Sequence, residues 1–193
     1  MNEMLIFPST VLITDLNTEL DFSKIKTEIY QIKDYYSGEN RSNIKSYQSP
    51  DLLSIDLSQA PSLRDLIAVL NQNISAFARN KVKFSIGISS VWFNVTEPYG
   101  YQTLHDHHGS IFSGTVTVVK PDNSGNIVFT RSDNAKFFIP PEYHNQTDFT
   151  HITTYFDIPV GNSLFFWSWE KHYVEQNQSD ADRITLSFNT YYK

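Results

Sequence analysis

The chain contains no cysteine, which removes disulfides, thiolate metal ligands and cysteine nucleophiles together. Any metal it holds is therefore held by nitrogen and oxygen. Glycine is scarce at 7 residues, and none of them builds a phosphate-cradling loop. No serine sits in a Gly-x-Ser-x-Gly elbow, so no nucleophile triad can be argued. The 15 basic residues form no run and are outnumbered by 21 acidic ones, for a net charge of −6. A sequence-independent grip on nucleic-acid phosphates needs clustered Lys and Arg, so no duplex nucleic-acid partner is expected. No apolar run approaches the length of a membrane span. The opening residues also lack the basic segment of a secretory signal. The expectation is a cytoplasmic protein with no membrane partner, and the sequons at Asn73 and Asn94 are read as chance.

What the chain has in excess is aromatic residues, 15% of the whole with 14 Phe and 11 Tyr. Such side chains suit half-buried pleated surfaces, so the bias points to sheet. The length of 193 residues suits one domain spanning 1–193 that can bury a sizeable core.

Two parts are legible within it, a helical scaffold over 1–82 and a β-rich core over 83–193. Leu5 to Leu12, broken by Pro8, reads as an edge strand. Phe22, Ile25, Ile29, Ile32 and Tyr36 step by three and four, the signature of one buried helix face that ends at Ser37-Gly38. Leu63, Ile67, Leu70, Ile74 and Phe77 repeat the pattern, with Pro61 opening the helix and Ser62 and Asp65 forming a weak capping box. From Phe84 the period changes to two. Val91, Phe93 and Val95 alternate with Ser90, Trp92 and Asn94. Residues 113–119 are β-branched, residues 121–125 have turn composition and residues 126–130 return, which predicts a hairpin. Residues 163–169 and 183–189 supply further strands. Residues 132–157, with Pro140-Pro141 and many aromatics and amides between Phe137 and Tyr155, show no period and read as a lid or a plain surface loop. The pattern as a whole is that of a sandwich or barrel such as a jelly roll, mostly β with flanking helices.

Three of the six histidines fall within four residues, at His105, His107 and His108, with Asp106 between the first two. Residues i and i+2 of a strand project from one face, so His105 and His107 can point at one centre. Neutral imidazole suits iron, zinc, copper or nickel. The alternative is a solvated histidine-rich turn. His172 follows the apolar strand 164–169, and Arg183 opens another strand 11 residues later. On that strand Arg183, Thr185, Ser187 and Asn189 share one face, while Ile184, Leu186 and Phe188 face the core. His108, His144 and His151 read as surface or lid residues. Trp167 and Trp169 read as core or substrate-wall aromatics.

This order resembles the Fe(II)/2-oxoglutarate-dependent dioxygenases. More narrowly, Trp92-Phe93-Asn94, His105-x-His107, Ser113-Gly114, Pro159-x-Gly161, Phe166-x-Ser168, His172-x-Val174 and 183–189 resemble the small oxygenases of bacteria and bacteriophages, as does Leu5–Pro8. The resemblance implies a double-stranded β-helix (jelly-roll, cupin-like) core and an Fe(II) site held by His105, His107 and His172. His107 stands where the superfamily usually has Asp or Glu; Asp106 could take that place only through a bulge. The resemblance further implies 2-oxoglutarate as co-substrate, paired with Arg183 and Thr185, with Asn94 a co-substrate or structural amide. It implies dioxygen as reactant and a small molecule or peptide as substrate. Two rival readings remain at this level: a cupin-like three-histidine metalloenzyme that does not use 2-oxoglutarate, and a non-catalytic β-sandwich binding module.

Overall fold

The computed structural model describes residues 9–18, 20–133 and 150–192. In chain order the elements are β1 (Val11–Asp15), α1 (Phe22–Tyr35), β2 (Asn43–Gln48), α2 (Pro61–Phe77), β3 (Ile86–His105), β4 (Phe112–Val119), β5 (Ile127–Thr130), β6 (Thr153–Phe156), β7 (Asn162–Trp167), β8 (His172–Val174) and β9 (Arg183–Tyr192). A short 3-10 turn, Leu52–Ser54, precedes α2, and a π turn, Ala78–Val82, follows it. Among the described residues no helix is long and apolar enough to cross a membrane.

The strands are antiparallel and run in the order β1-β7-β4-β9-β3-β8-β5-β6, with β2 added on β3. β3 is the pivot. Residues 86–96 of its 20 pair with β9, whereas Gln102 and His105 pair with β8. One long bent strand therefore belongs to both halves of a curled sheet, as in a double-stranded β-helix. A register shift between Gln102 and His105 marks the bend, and bulges of this kind re-aim side chains next to functional sites.

The period-two alternation decides which face does what. Val91, Phe93, Val95, Ile184 and Leu186 are fully buried and join one cluster with Ile25, Ile29, Leu63, Leu66 and Leu70 from the helices. Their neighbours Ser90, Trp92, Thr185 and Ser187 point the other way and line a cavity. A second apolar cluster, Ile127, Phe129, Ile158, Leu164 and Phe166, lies on the cavity side. The same strands thus hold the helices on one face and a polar chamber on the other.

Several expectations are corrected. β4 and β5 do not form a hairpin: β4 pairs with β7 and β9, and β5 pairs with β6 and β8. Local composition marks the turn correctly but cannot say where the chain goes next. Here residues 120–126 cross between the halves of the curled sheet, with Asn123 and Gly125 at positive φ. The capping box at Ser62 and Asp65 does not form either. The α2 amides of Ser62 and Leu63 donate to the Glu28 carboxylate of α1, at 3.0 and 2.8 Å, so an anion from the neighbouring helix meets the positive helix end. Besides the expected edge strand, the stretch 1–82 carries a second strand, β2, that the sequence pattern did not predict. The edge strand begins at Val11; residues 5–8 lie outside the described residues. The segment read as irregular, 132–157, contains strand β6 paired with β5. Residues 134–149, with His144, lie outside the described residues.

Candidate active site

His105 closes β3 and sits in register with His172, the first residue of β8. Their ring centroids are 4.3 Å apart. His107 lies two residues beyond the strand end, where its backbone N–H donates to the Ser168 carbonyl at 3.0 Å. That bond ties the histidine turn to the end of β7. The His107 ring lies 5.1 Å from that of His105 and 5.2 Å from that of His172. One ligand nitrogen from each of the three can be chosen so that all lie within 4.8 Å of one another.

The hydrogen bonds fix which nitrogens face the centre. His105 Nδ1 is 2.7 Å from the Thr103 carbonyl, and His172 Nδ1 is 2.8 Å from the Glu170 carbonyl. A carbonyl only accepts, so each Nδ1 carries the proton and each Nε2 keeps its lone pair free. This backbone partner behind a ligating imidazole is the usual support of a metal site. Burial pushes His107 down to about 4 and His172 down to about 3, with the neighbouring His105 adding to both shifts. Burial lowers His105 as well. At neutral pH the cluster is three uncharged imidazoles, the form that binds a metal ion.

Asp106 is not part of the cluster. It pairs instead with His108, Oδ1 to Nδ1 at 2.8 Å, where the His108 side chain is 93% exposed. His108 is thus the surface residue expected.

The cluster opens into a cavity of about 580 Å³, a size suited to a small ligand. Arg183 stands in the same cavity although only 4% exposed. Its Nη1 donates to the carbonyls of Ser124 and Glu175, and among the described residues no acidic side chain is hydrogen-bonded to it. Burial lowers the guanidinium to about 10, opposed by the nearby Glu175, which leaves it charged at neutral pH. Thr185, Ser187 and Asn189 follow it along the cavity wall. Asn94 pairs with Thr185 in register and is 1% exposed. Its Oδ1 and Ser124 Oγ are the buried side-chain atoms without a hydrogen-bond partner among the described residues. A buried cation whose hydrogen bonds among the described residues go to backbone carbonyls leaves this end of the chamber suited to an anionic ligand.

Sequence reasoning gave Trp92 no role in the site and did not single out Lys120, and both line the cavity. The Trp92 ring lies 5.9 Å from His107; its place opposite Phe93 in the alternation was the available signal. Glu39, Arg41, Gln48 and Asp51 also line it, so the first 82 residues supply a wall as well as a scaffold. Trp169, expected in the core or the substrate wall, is 56% exposed and stacks on Trp167 instead. Neither indole lines the cavity.

Comparison with known proteins agrees with this geometry. A family model described as "Putative 2OG-Fe(II) oxygenase" matches residues 90–189, just over half of the chain and all of the segment from Trp92 to Arg183. No curated protein sequence matches. Solved structures share the fold at low identity. HygX from Streptomyces hygroscopicus, with nickel and 2-oxoglutarate bound, is 10% identical, with 96% of this chain and 84% of that one covered at a TM-score of 0.66. A Pseudomonas putida prolyl-4-hydroxylase is 12% identical, with 96% and 94% covered at 0.61. A prolyl hydroxylase from Trichoplax adhaerens, in complex with a hypoxia inducible factor peptide, is 12% identical, with 94% and 83% covered at 0.71. The half of the chain that carries the histidines and the arginine is thus the half the family model recognises, and the chain belongs to the 2OG-Fe(II) oxygenases, enzymes that use Fe(II) and 2-oxoglutarate.

Proposed function

We propose that His105, His107 and His172 hold the Fe(II), and that Arg183 and Thr185 receive the distal carboxylate of 2-oxoglutarate. The observation that carries this reading is one cavity holding three neutral, mutually close imidazoles and a buried arginine whose hydrogen bonds among the described residues go to backbone carbonyls. When bound, Fe(II) and 2-oxoglutarate supply the oxidation, in which dioxygen, 2-oxoglutarate and a substrate C–H give succinate, carbon dioxide and a hydroxylated product.

The residues of this chain do the positioning. The carbonyls of Thr103 and Glu170 hold two imidazoles in one tautomer. The planar fork of Arg183 suits a carboxylate in bidentate fashion, and the Thr185 hydroxyl on the same face adds a donor. Asn94, buried opposite Thr185 and not among the residues that line the cavity, is the structural amide rather than a co-substrate contact. Ile127, Phe156, Ile158 and Val174 wall this part of the cavity with apolar surface, which excludes water. His107 gives the site a third nitrogen where the superfamily has a carboxylate, so one negative charge is missing around the metal.

The substrate is a hydrophilic small molecule or peptide side chain. Ser90 and Asn189, opposite one another on β3 and β9, and Asp51, whose carboxylate accepts from the Val91 amide, give the cavity a polar wall to which Glu39, Arg41 and Gln48 add. Trp92 supplies a flat face beside His107 on which a ring or a cation can pack.

Succinate release from 2-oxoglutarate under air with added Fe(II) tests the co-substrate. Absence of turnover together with absence of anaerobic 2-oxoglutarate binding overturns the reading. For the substrate, stimulation of that release by apolar compounds alone, with none from hydrophilic ones, would overturn the hydrophilic assignment.

A further inference from the structure

The cavity is polarised in a way that one arginine does not account for. Its carboxylates are Glu39, which pairs with Arg41 of the same lining, Asp51 and Asp106; from Gly114 onward the charged lining residues among those described are Lys120 and Arg183. These two cations are close in the sheet. β4 and β9 are antiparallel with Val119 opposite Ile184, so the residue after Val119 meets the residue before Ile184. Lys120 therefore stands at the end of β4 beside the start of β9, and both side chains reach the same end of the chamber.

Their partners differ. Among the described residues Arg183 is bound to backbone carbonyls alone. Lys120 Nζ bonds Asn126 Oδ1 at 3.1 Å and forms an ion pair with Asp157. The Lys120 side chain is 17% exposed, whereas that of Asp157 is 71% exposed and does not line the cavity. An ion pair with one exposed member is weak, because water competes for the carboxylate. Lys120 is thus a cation turned from a cavity toward an outside partner that holds it loosely. Its three donors rotate freely on a flexible stem, so the ammonium can exchange Asp157 for an anion inside.

We infer that Lys120 is a second cation of the 2-oxoglutarate subsite, a specificity residue that joins Arg183 on the distal carboxylate and for which Asp157 is the competing partner. This inference rests on the co-substrate reading above. It explains why the two cations occupy one end of the chamber with no carboxylate among the described lining there. Two like charges that close repel one another when the subsite is empty, and Asp157 relieves that repulsion from outside.

The test is anaerobic calorimetric binding to the Fe(II)-loaded full chain, with 2-oxoglutarate and with 2-oxopentanoate, which has the same chain but no distal carboxylate. K120Q weakens 2-oxoglutarate binding by about tenfold, the usual worth of one charge-assisted hydrogen bond, and leaves 2-oxopentanoate binding as in the parent protein. K120R restores most of the loss. D157N, which frees Lys120, tightens 2-oxoglutarate binding several-fold and does nothing to 2-oxopentanoate. Unchanged 2-oxoglutarate affinity in K120Q overturns the inference, and so does an equal loss for both probes, which marks a structural role. An unchanged D157N overturns the competition with Asp157. A parent protein that binds no 2-oxoglutarate overturns the co-substrate reading itself, a separate outcome.

Discussion

His105 and His172 face each other in register across the β3–β8 pair, with ring centroids 4.3 Å apart, although 66 residues separate them in the chain. His105 ends the strand that backs the helical core, and His172 opens the short strand that covers the cavity. The proposed metal centre is therefore where the two halves of the curled sheet meet. A displacement of either half moves one ligand relative to the others.

The metal site gives the first prediction. His105→Ala and His172→Ala each lower Ni(II) or Fe(II) affinity by more than about 100-fold, since loss of a mere supporting partner already costs 10–100-fold. His107→Ala does the same, while His107→Asp, which returns a carboxylate to that place, stays within about tenfold of the parent. Metal titration of protein purified without a histidine tag measures all four. Parent-like affinity in His107→Ala would remove His107 from the ligand set.

Arg183 gives the second. Arg183→Lys keeps a charge but loses the fork, and 2-oxoglutarate affinity falls by roughly 100-fold, in the range of two charge-assisted hydrogen bonds. Metal binding is unchanged. Arg183→Ala additionally strips the carbonyls of Ser124 and Glu175 of a donor, so it also lowers the midpoint of thermal unfolding. Anaerobic co-substrate titration combined with a melting curve separates the two effects.

The third prediction concerns pH and the metal-free protein. His107 and His172 are held near 4 and 3 by burial, whereas an unfolded histidine titrates near 6.5. Above about pH 6.5 these residues are neutral in both states and favour neither. As the pH falls below that, the unfolded chain takes up protons the folded chain refuses. Stability therefore declines toward pH 3, with a slope of up to roughly 1.4 kcal/mol per pH unit for each residue. Urea unfolding between pH 7 and 4 shows this decline, and His172→Asn flattens it. A slope that does not change in His172→Asn would contradict the assignment.

Glu28 gives the fourth. Glu28→Ala leaves the first amides of α2 without an acceptor and costs about 1–2 kcal/mol, while Ser62→Ala, at the position where a capping box was expected, costs less than about 0.5 kcal/mol. Denaturant unfolding of the two variants distinguishes them. Equal effects would mean that the helix end is satisfied from within its own sequence.

Glu28 also shows where sequence reading stops. The helical stepping placed both buried faces correctly, since the pattern is local and each apolar position reports its own burial. The cap came from another helix 34 residues away, a relationship with no local trace. The β4–β5 hairpin failed for the same reason. Alternation along β3 and β9 was legible to the residue: Val91, Phe93, Ile184 and Leu186 went to the core, and Ser90, Trp92, Thr185 and Ser187 to the cavity. Lys120 was not legible, because a lone lysine at a strand end reads as solvated.

The sequence by itself determined the proposed donor set and its order. Without cysteine, the metal chemistry had to be nitrogen and oxygen, and His105-x-His107, His172 and Arg183 stood in the spacing of one family. Period two then decided which side chains shared a face. The tertiary structure decided what met across that face. It bent β3 so that one strand serves both halves of the sheet, turned Asp106 away to His108, and placed Lys120 beside Arg183. These are pairings between residues far apart in the chain, set by sheet register and burial, and no local pattern of residues encodes them.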